Sequence, residues 1–393
     1  HGMGERARDF FLASGKLQAL CYKAEIEKDL RTNGLAGFQL LGLQDFPGQG
    51  TALVGVLDAF WDSKPYITAR QFSRFCNASV ILARMDKFVF TNNEQLEAKL
   101  ELFNFGKMAL ENVTVTWSVK DSKGAIVKSG NFPPQRFTLG AGQPIGQVNI
   151  MLNEFARAGQ YKLEVGIDKT LIYNDWDFWV YPASTPTVKA DDIYYCTTLD
   201  EQAMQQLQQG GKVFLDASGR VVKGKEVVMY FTPVFWNTSW FKMRPPHVTG
   251  LYIKNDHAAF AEFPTEFHSN YQWWSIANKA QVMHLEDFPA GFQPLVQPID
   301  TWFMNRKLAL IFEAKVGNGK LLVSSAPISD TANNPAARQL FYSLKKYMAS
   351  TAFNPTSNVD AKVINDLFVT PSREQWDSYT KDSPDELKPI KNK

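Results

Sequence analysis

Cysteine, net charge and long apolar runs are all scarce in this chain. Its three cysteines, Cys21, Cys76 and Cys196, are odd in number and widely spaced. They make neither a disulfide framework nor a Cys-x-x-Cys metal or redox motif, and they read as buried free thiols. Lysine and arginine number 42 against 40 aspartates and glutamates, a net charge of +2. That balance offers no footprint for nucleic acid or an anionic membrane surface. No apolar run reaches the length of a transmembrane helix. Histidine is rare too: His247, His257, His268 and His284 are spaced by 10, 11 and 16 residues. With no His-x-x-x-His pair, no metal site is expected, and no motif calls for a cofactor. Residue 1 is not methionine, so the sequence reads as entering a longer protein, and the lack of a leader says nothing of export.

What is present changes character along the chain, and 393 residues suggest two or three domains. A helix is predicted over 5–30, followed by an apolar stretch, Leu40, Leu41 and Leu43. Its lack of strict alternation suits a parallel strand buried on both faces. Asp45 and the Pro47-Gly48 pair then stop the strand and turn the chain. Gln44 and Asp45 therefore sit where the strand emerges, the catalytic face of a (β/α)8 barrel. Thr68 with Gln71 makes a capping box for a following helix that carries Phe72 and Phe75. After Asp86 the period becomes two. Leu96, Ala98, Leu100 and Leu102 alternate with charged residues, and Val113, Val115, Trp117 and Val119 alternate with threonines, serine and lysine. Further strands are predicted over 147–152, 161–167 and 176–181. About seven short strands in a hundred residues indicate an immunoglobulin-like β-sandwich over 86–182, with Trp117 in its core.

Residues 182–186, Pro-Ala-Ser-Thr-Pro, read as a linker. Beyond them a helix over 199–209, stopped by Gly210-Gly211, leads into a strand over 212–216. Strands are also predicted over 226–231, 308–313 and 320–325, with a helix over 335–348. Alternating strands and helices indicate an α/β domain over 187–352 with a largely parallel sheet. Residues 353–393 read as an extension with one short helix over 359–368 and a charged, proline-containing, disordered end.

The runs Lys16 to Arg31, Gly37 to Thr51 (with its Asp-Phe-Pro-Gly-Gln-Gly-Thr loop) and Leu53 to Trp61 resemble the barrel end of glycoside hydrolase family 2. The resemblance extends to about residue 355. It implies that 1–85 is the last helix–strand–helix unit of a TIM barrel. It also implies a retaining hydrolase of O-glycosidic bonds in oligosaccharides, periplasmic or secreted. The family's acid/base and nucleophile glutamates follow the fourth and seventh barrel strands, upstream of residue 1, so no residue here inherits either role. The helix, Gly-Gly, strand order of the later domain resembles flavodoxin-like, glutamine-amidotransferase-like accessory domains. Cys196 lacks the Gly-x-Cys-x-Gly elbow that such chemistry needs.

Two groups of candidate binding residues follow. Gln44, Asp45, Gln49 and Trp61 lie at the barrel mouth, where polar side chains bond sugar hydroxyls; alternatively Asp45 organises its own loop. Residues 236–302 hold half of all tryptophans and four of five histidines. Trp236, Trp240, His247, His268, Trp273 and Trp274 form either a carbohydrate surface or an irregular insertion packed internally or against the barrel. The non-catalytic alternative for the whole chain is a carbohydrate-binding or assembly module.

Overall fold

The computed structural model describes residues 1–35, 37–49, 53–227, 229, 248–278, 280–301, 304–329 and 333–374. The protein is mixed α/β, rich in β-sheet and with few helices, and it divides into two units: Gln18–Ser184, and His1–Leu17 together with Thr185–Lys393. The dividing point falls inside the first helix, α1 (Ala7–Leu30).

In the unit Gln18–Ser184, α2 (Ala69–Phe72) precedes ten strands: β1 (Ser79–Arg84), β2 (Val89–Thr91), β3 (Gln95–Asn104), β4 (Leu110–Val113), β5 (Val115–Asp121), β6 (Ile126–Asn131), β7 (Gln135–Phe137), β8 (Gly140–Met151), β9 (Gly159–Ile167) and β10 (Tyr173–Tyr181). They form sheets of order β1-β3-β8 and β2-β10-β9-β5-β6 and a small β4-β7 pair. Leu96, Leu100 and Leu102 of the first sheet share one core with Val115, Leu163, Val165 and Phe178 of the second. The period-two pattern is the cause: along β3 the residues predicted to face inward are buried and their neighbours more exposed. Trp117 packs on this core from β5. It pairs across the strands with Gly130, which has no room for a Cβ under the indole ring.

The C-terminal half of α1 is held in the same unit by one buried carboxylate. Glu27, 3% exposed, accepts from Trp176 Nε1 at 2.9 Å and Asn174 Nδ2 at 2.8 Å, with Lys23 and Arg31 alongside on the helix. Asn174 uses its whole hydrogen-bonding capacity. Its Nδ2 also donates to Ile81 O, and its Oδ1 accepts from Lys23 Nζ and the Asp175 N–H. Ile26 and Leu30 pack nearby with Val56, Tyr66, Phe75 and Leu82.

Two expectations for this part are corrected. The capping box of Thr68 and Gln71 forms, but the helix it starts ends at Phe72 after one turn. Residues 38–43 form no strand, and Phe38 and Leu41 are 38% and 75% exposed. A strand buried on both faces needs a partner on each edge. The described residues supply only an isolated bridge, Gln44 with Leu57, and no TIM barrel is seen among them.

In the other unit, the strands β11 (Ile193–Cys196), β12 (Lys212–Asp216), β13 (Val248–Ile253), β14 (Met283–His284), β15 (Val296–Asp300), β16 (Leu308–Ala309), β17 (Ile311–Val316) and β18 (Gly319–Ser324) accompany helices α3 (Glu201–Gln208), α4 (Tyr271–Ala277), α5 (Pro335–Ala349) and α6 (Ala361–Val369). Asp200, Asn334 and Asp360 cap α3, α5 and α6. The main sheet has the order β11-β12-β18-β17-β15-β13. Only β11/β12 and β12/β18 are parallel; the other pairings are antiparallel. The expected largely parallel sheet is therefore corrected to a mixed one, and no flavodoxin-like order is seen among the described residues. The reason is local: Val316 and Gly319 pair across a two-residue Gly317-Asn318 link with Gly317 at φ +57°. So short a connection joins only antiparallel strands. Lys223–Glu226 form a turn where a strand was predicted to start; half of that strand (228, 230 and 231), and the tail past 374, lie outside the described residues.

Replacing Glu27 by Ala should strip the partner from four buried or half-buried donors. The expected cost is about 3–5 kcal/mol, read as a lower midpoint in urea unfolding followed by tryptophan fluorescence. A midpoint unchanged from the parent would show that the network holds nothing together.

Candidate functional site

The loop 42–67 is built on hydrogen bonds rather than on a sheet. Leu43 O accepts from both Val56 N and Leu57 N at 3.0 Å, and Asp45 N donates to Leu57 O. Asp45 Oδ1 then accepts the Gly55 N–H at 2.9 Å and Lys64 Nζ at 2.8 Å, an ion pair whose side chains are both 11% exposed. Gly55 is required by contact: an added Cβ would lie 2.6 Å from Asp45 N and closer still to the Gln44 backbone. Behind it, Tyr66 OH donates to Gln18 Oε1 at 2.6 Å and lies 3.1 Å from Gly55 O, and Gln18 Nε2 reaches Val54 O. Burial, with the Asp45 charge added, pushes the Tyr66 phenol upward, so it stays a neutral donor.

Of the residues read from sequence as a barrel-mouth site, Asp45 is thus the tie of its own loop. Gln44 supplies the bridge to Leu57, and Gln49 closes the 3-10 turn Pro47–Gln49. Trp61 belongs to a different part of the loop. Asp58 Oδ1 accepts from Phe60 N and Asp62 N, and Trp61 N donates to Asp58 O. This tight turn holds Trp61 at φ +71° and leaves it 62% exposed beside Phe60 at 85%. A bulky residue in that region of backbone space carries strain. Lys64, Gly55 and Tyr66 were not singled out from sequence. A glycine between Val54 and Val56 was the one visible signal.

The aromatic and histidine-rich region resolves differently. Trp236, Trp240 and His247 lie outside the described residues. Trp273 is fully buried, donates from Nε1 to Thr265 Oγ1 at 2.9 Å and meets Phe263 edge-on at 5.5 Å. His268 is 4% exposed. Its Nδ1 lies 3.0 Å from Ser269 O, which assigns the proton to that nitrogen, and its Nε2 is 3.6 Å from a Glu266 oxygen. These two residues are packing elements, whereas Trp274 on the same helix is half exposed. His284 is buried too, with Nδ1 3.2 Å from Ser372 Oγ, and burial pushes its pKa down to about 4. All three cysteines are free and half-buried rather than buried; burial raises Cys21 to about 11 and Cys196 to about 12, so neither is a thiolate at neutral pH. Among the described residues no cluster of His, Cys, Asp and Glu could hold a metal, and no helix is long and apolar enough to cross a membrane.

Two family models match, each described as a domain of unknown function: DUF8488 over residues 94–182 and DUF8487 over 194–369. No curated protein matches. Among solved structures, the CARDB domain of a Pyrococcus furiosus protein, in complex with di-metal ions, overlaps 26% of this chain and 93% of its own at 12% identity and a TM-score of 0.21. The sporulation control protein Spo0M of Bacillus subtilis overlaps 27% of this chain and 50% of its own at 10% identity and TM-score 0.21. A β-glucuronidase of Parabacteroides merdae overlaps 35% of this chain and 21% of its own at 13% identity, again at TM-score 0.21. The chain thus spans about a fifth of the glucuronidase's length. Scores of that size carry no fold or activity across.

Gly55→Ala should be the most damaging small substitution in the loop, since backbone atoms, not a side-chain tip, block the new methyl. Asp45→Asn keeps an acceptor for Gly55 but removes the charge facing Lys64, costing about 1–3 kcal/mol. Paired with Lys64→Met the losses should be less than additive in thermal unfolding; strict additivity would mean the pair contributes nothing.

His284 makes stability depend on pH. Its folded pKa of about 4 lies below the unfolded value of about 6.5. Between those values the unfolded chain takes up a proton that the folded chain refuses, so stability falls as pH drops from about 6.5 to about 4. The difference between parent and His284→Gln unfolding free energies should shrink across that window, by up to roughly 3 kcal/mol. A constant difference would disprove the titration.

Proposed function

We propose that these 393 residues are the C-terminal part of a retaining glycoside hydrolase that cleaves O-glycosidic bonds of plant- or host-type oligosaccharides. In this reading 1–85 ends a TIM barrel, 86–182 is an immunoglobulin-like spacer and 187–352 an α/β accessory domain built on a mixed sheet. The catalytic glutamates are supplied from outside this sequence, about 5–5.5 Å apart as retaining chemistry requires. The family resemblance of residues 16–61 suggests the reaction and a periplasmic or secreted location.

The observation that carries the reading is the apolar surface of the loop. Leu41, Phe46, Leu53, Phe60 and Trp61 are 53–85% exposed on a segment that is held by Asp45 and backbone bonds and has no sheet of its own. Large apolar groups in such number imply further protein or a ligand over them. A barrel wall completed by other strands would supply the first, and a sugar at the barrel mouth the second. With Asp45 Oδ1 committed to Gly55 and Lys64, a direct sugar contact would fall to its Oδ2, to Gln44, to Gln49 and to the Trp61 indole.

The chain alone should hydrolyse no aryl glycoside. Turnover above background that disappears when one of its own carboxylates is changed would overturn the assignment of the catalytic pair. In the complete protein, Trp61→Ala should lower kcat/KM by about 10–100-fold, the effect of about 1.4–2.7 kcal/mol, while leaving the melting temperature within a degree or two. Unchanged kinetics would remove Trp61 from the substrate site, and a complete protein with no turnover at all would favour the non-catalytic module instead.

A further inference from the structure

Beyond the loop, the unit containing Thr185 onward has a cavity of about 190 Å³ lined by His1, His284, Glu286, Lys307, Arg373 and Glu374. Its walls are fixed. Ser372 Oγ lies 3.2 Å from His284 Nδ1, and the Arg373 N–H donates to the Glu286 carboxylate at 3.2 Å. Lys223, 4% exposed, pairs with Glu286 and Asp287, and the Arg373 guanidinium pairs with Asp287. Two polar groups are left over. His284 Nε2 is buried without a hydrogen-bond partner. Lys307, 6% exposed, donates to Pro289 O at 3.1 Å and Ala290 O at 2.7 Å, two of its three protons, and forms no ion pair among the described residues. A buried ammonium and a buried imidazole left short of partners are costly unless something else satisfies them.

The lining charges nearly cancel: Lys307 and Arg373 against Glu286 and Glu374, with His284 neutral. An anion would meet two carboxylates and a cation two basic groups, so an ionic ligand of either sign is disfavoured. Hydroxyl groups both donate and accept and match such a lining. A cavity of about 150 Å³ takes a benzene ring, so the room here fits one six-membered ring with its hydroxyls.

We propose that this cavity binds a single neutral sugar ring, as an accessory site distinct from the Asp45–Trp61 loop. The choice of a sugar among polyols rests on the glycoside hydrolase reading. A single ring makes a small ligand, for which roughly millimolar affinity is expected.

Saturation-transfer NMR and calorimetry on the 393-residue chain test this with methyl glycosides of neutral hexoses and with inorganic phosphate. At least one methyl glycoside should bind in the millimolar range, phosphate should not displace it, and Lys307→Met and Glu374→Gln should each weaken it at least five-fold. Glu374 is exposed, so its variant keeps the fold, and matched melting temperatures confirm this for both. No transfer to any methyl glycoside at tens of millimolar, displacement by phosphate, or binding unchanged in both variants would each overturn the proposal. The readout is binding alone. A complete protein that hydrolyses glycosides while this cavity takes no sugar sinks the accessory site and not the hydrolase; sugar in the cavity of a protein without turnover does the reverse.

Discussion

The interaction on which the sandwich-bearing unit depends is the burial of one negative charge. Taking a carboxylate out of water costs several kcal/mol even after relaxation, and the cost is recovered only when its oxygens are fully engaged. Glu27 meets that condition with donors from its own helix and from β10, at Asn174 and Trp176. Asn174 carries the arrangement on to β1 through Ile81 O. Helix register, strand position and two side-chain rotamers are therefore fixed by one set of bonds. A shift of the helix or of β10 by one residue would break these bonds, so the network favours this packing even if an apolar replacement were equally stable.

The other unit uses the same device in a different form. Arg306 and Asp300 meet through two parallel bonds, Nε to Oδ2 at 2.7 Å and NH2 to Oδ1 at 3.1 Å, while Oδ2 and Oδ1 also accept the Arg306 and Thr301 backbone N–H groups. A planar fork on a planar carboxylate fixes angle as well as distance. It ties the end of β15 to the approach to β16, the region where His284 and Lys307 frame the cavity. Apolar burial gives each unit its cohesion, and these buried charges decide which of several compact arrangements is adopted.

Much of the local structure was legible from the sequence because it depends on near neighbours. The alternation of Leu96 to Leu102 dictated β3, and the helix expected over 199–209 forms with Asp200 capping its start. The strands expected over 308–313 and 320–325 form as Ile311–Val316 and Gly319–Ser324, and Phe312 and Val323 are cross-strand partners in them. Three leucines at 40–43 were misread because burial of a strand is set by what lies on either side of it, which no local pattern contains. Sheet direction failed for the same reason, except that Gly317-Asn318 was a usable signal. At the loop, Asp45 and Pro47-Gly48 were visible as a turn. Lys64 was not, since an ion pair across 19 residues leaves no periodic trace. Glu27 had a partial signal in Lys23 and Arg31, four residues to either side, but nothing announced its partners on β10.

The central pairing of β12 with β18 bears on how this unit assembles. Lys212 lies beside Lys320, more than a hundred residues later, and every intervening strand of that sheet is placed on the far side of β18. The β17–β18 hairpin closes over two residues and needs no such search. Loop-closure entropy therefore favours an order in which the hairpin exists before β12 is joined, and the parallel contact comes late. Until then β12 presents one unpaired apolar edge, Val213-Phe214-Leu215, during synthesis. Such an edge is a place at which a chaperone, or a neighbouring nascent chain, can pair with this protein before folding is complete.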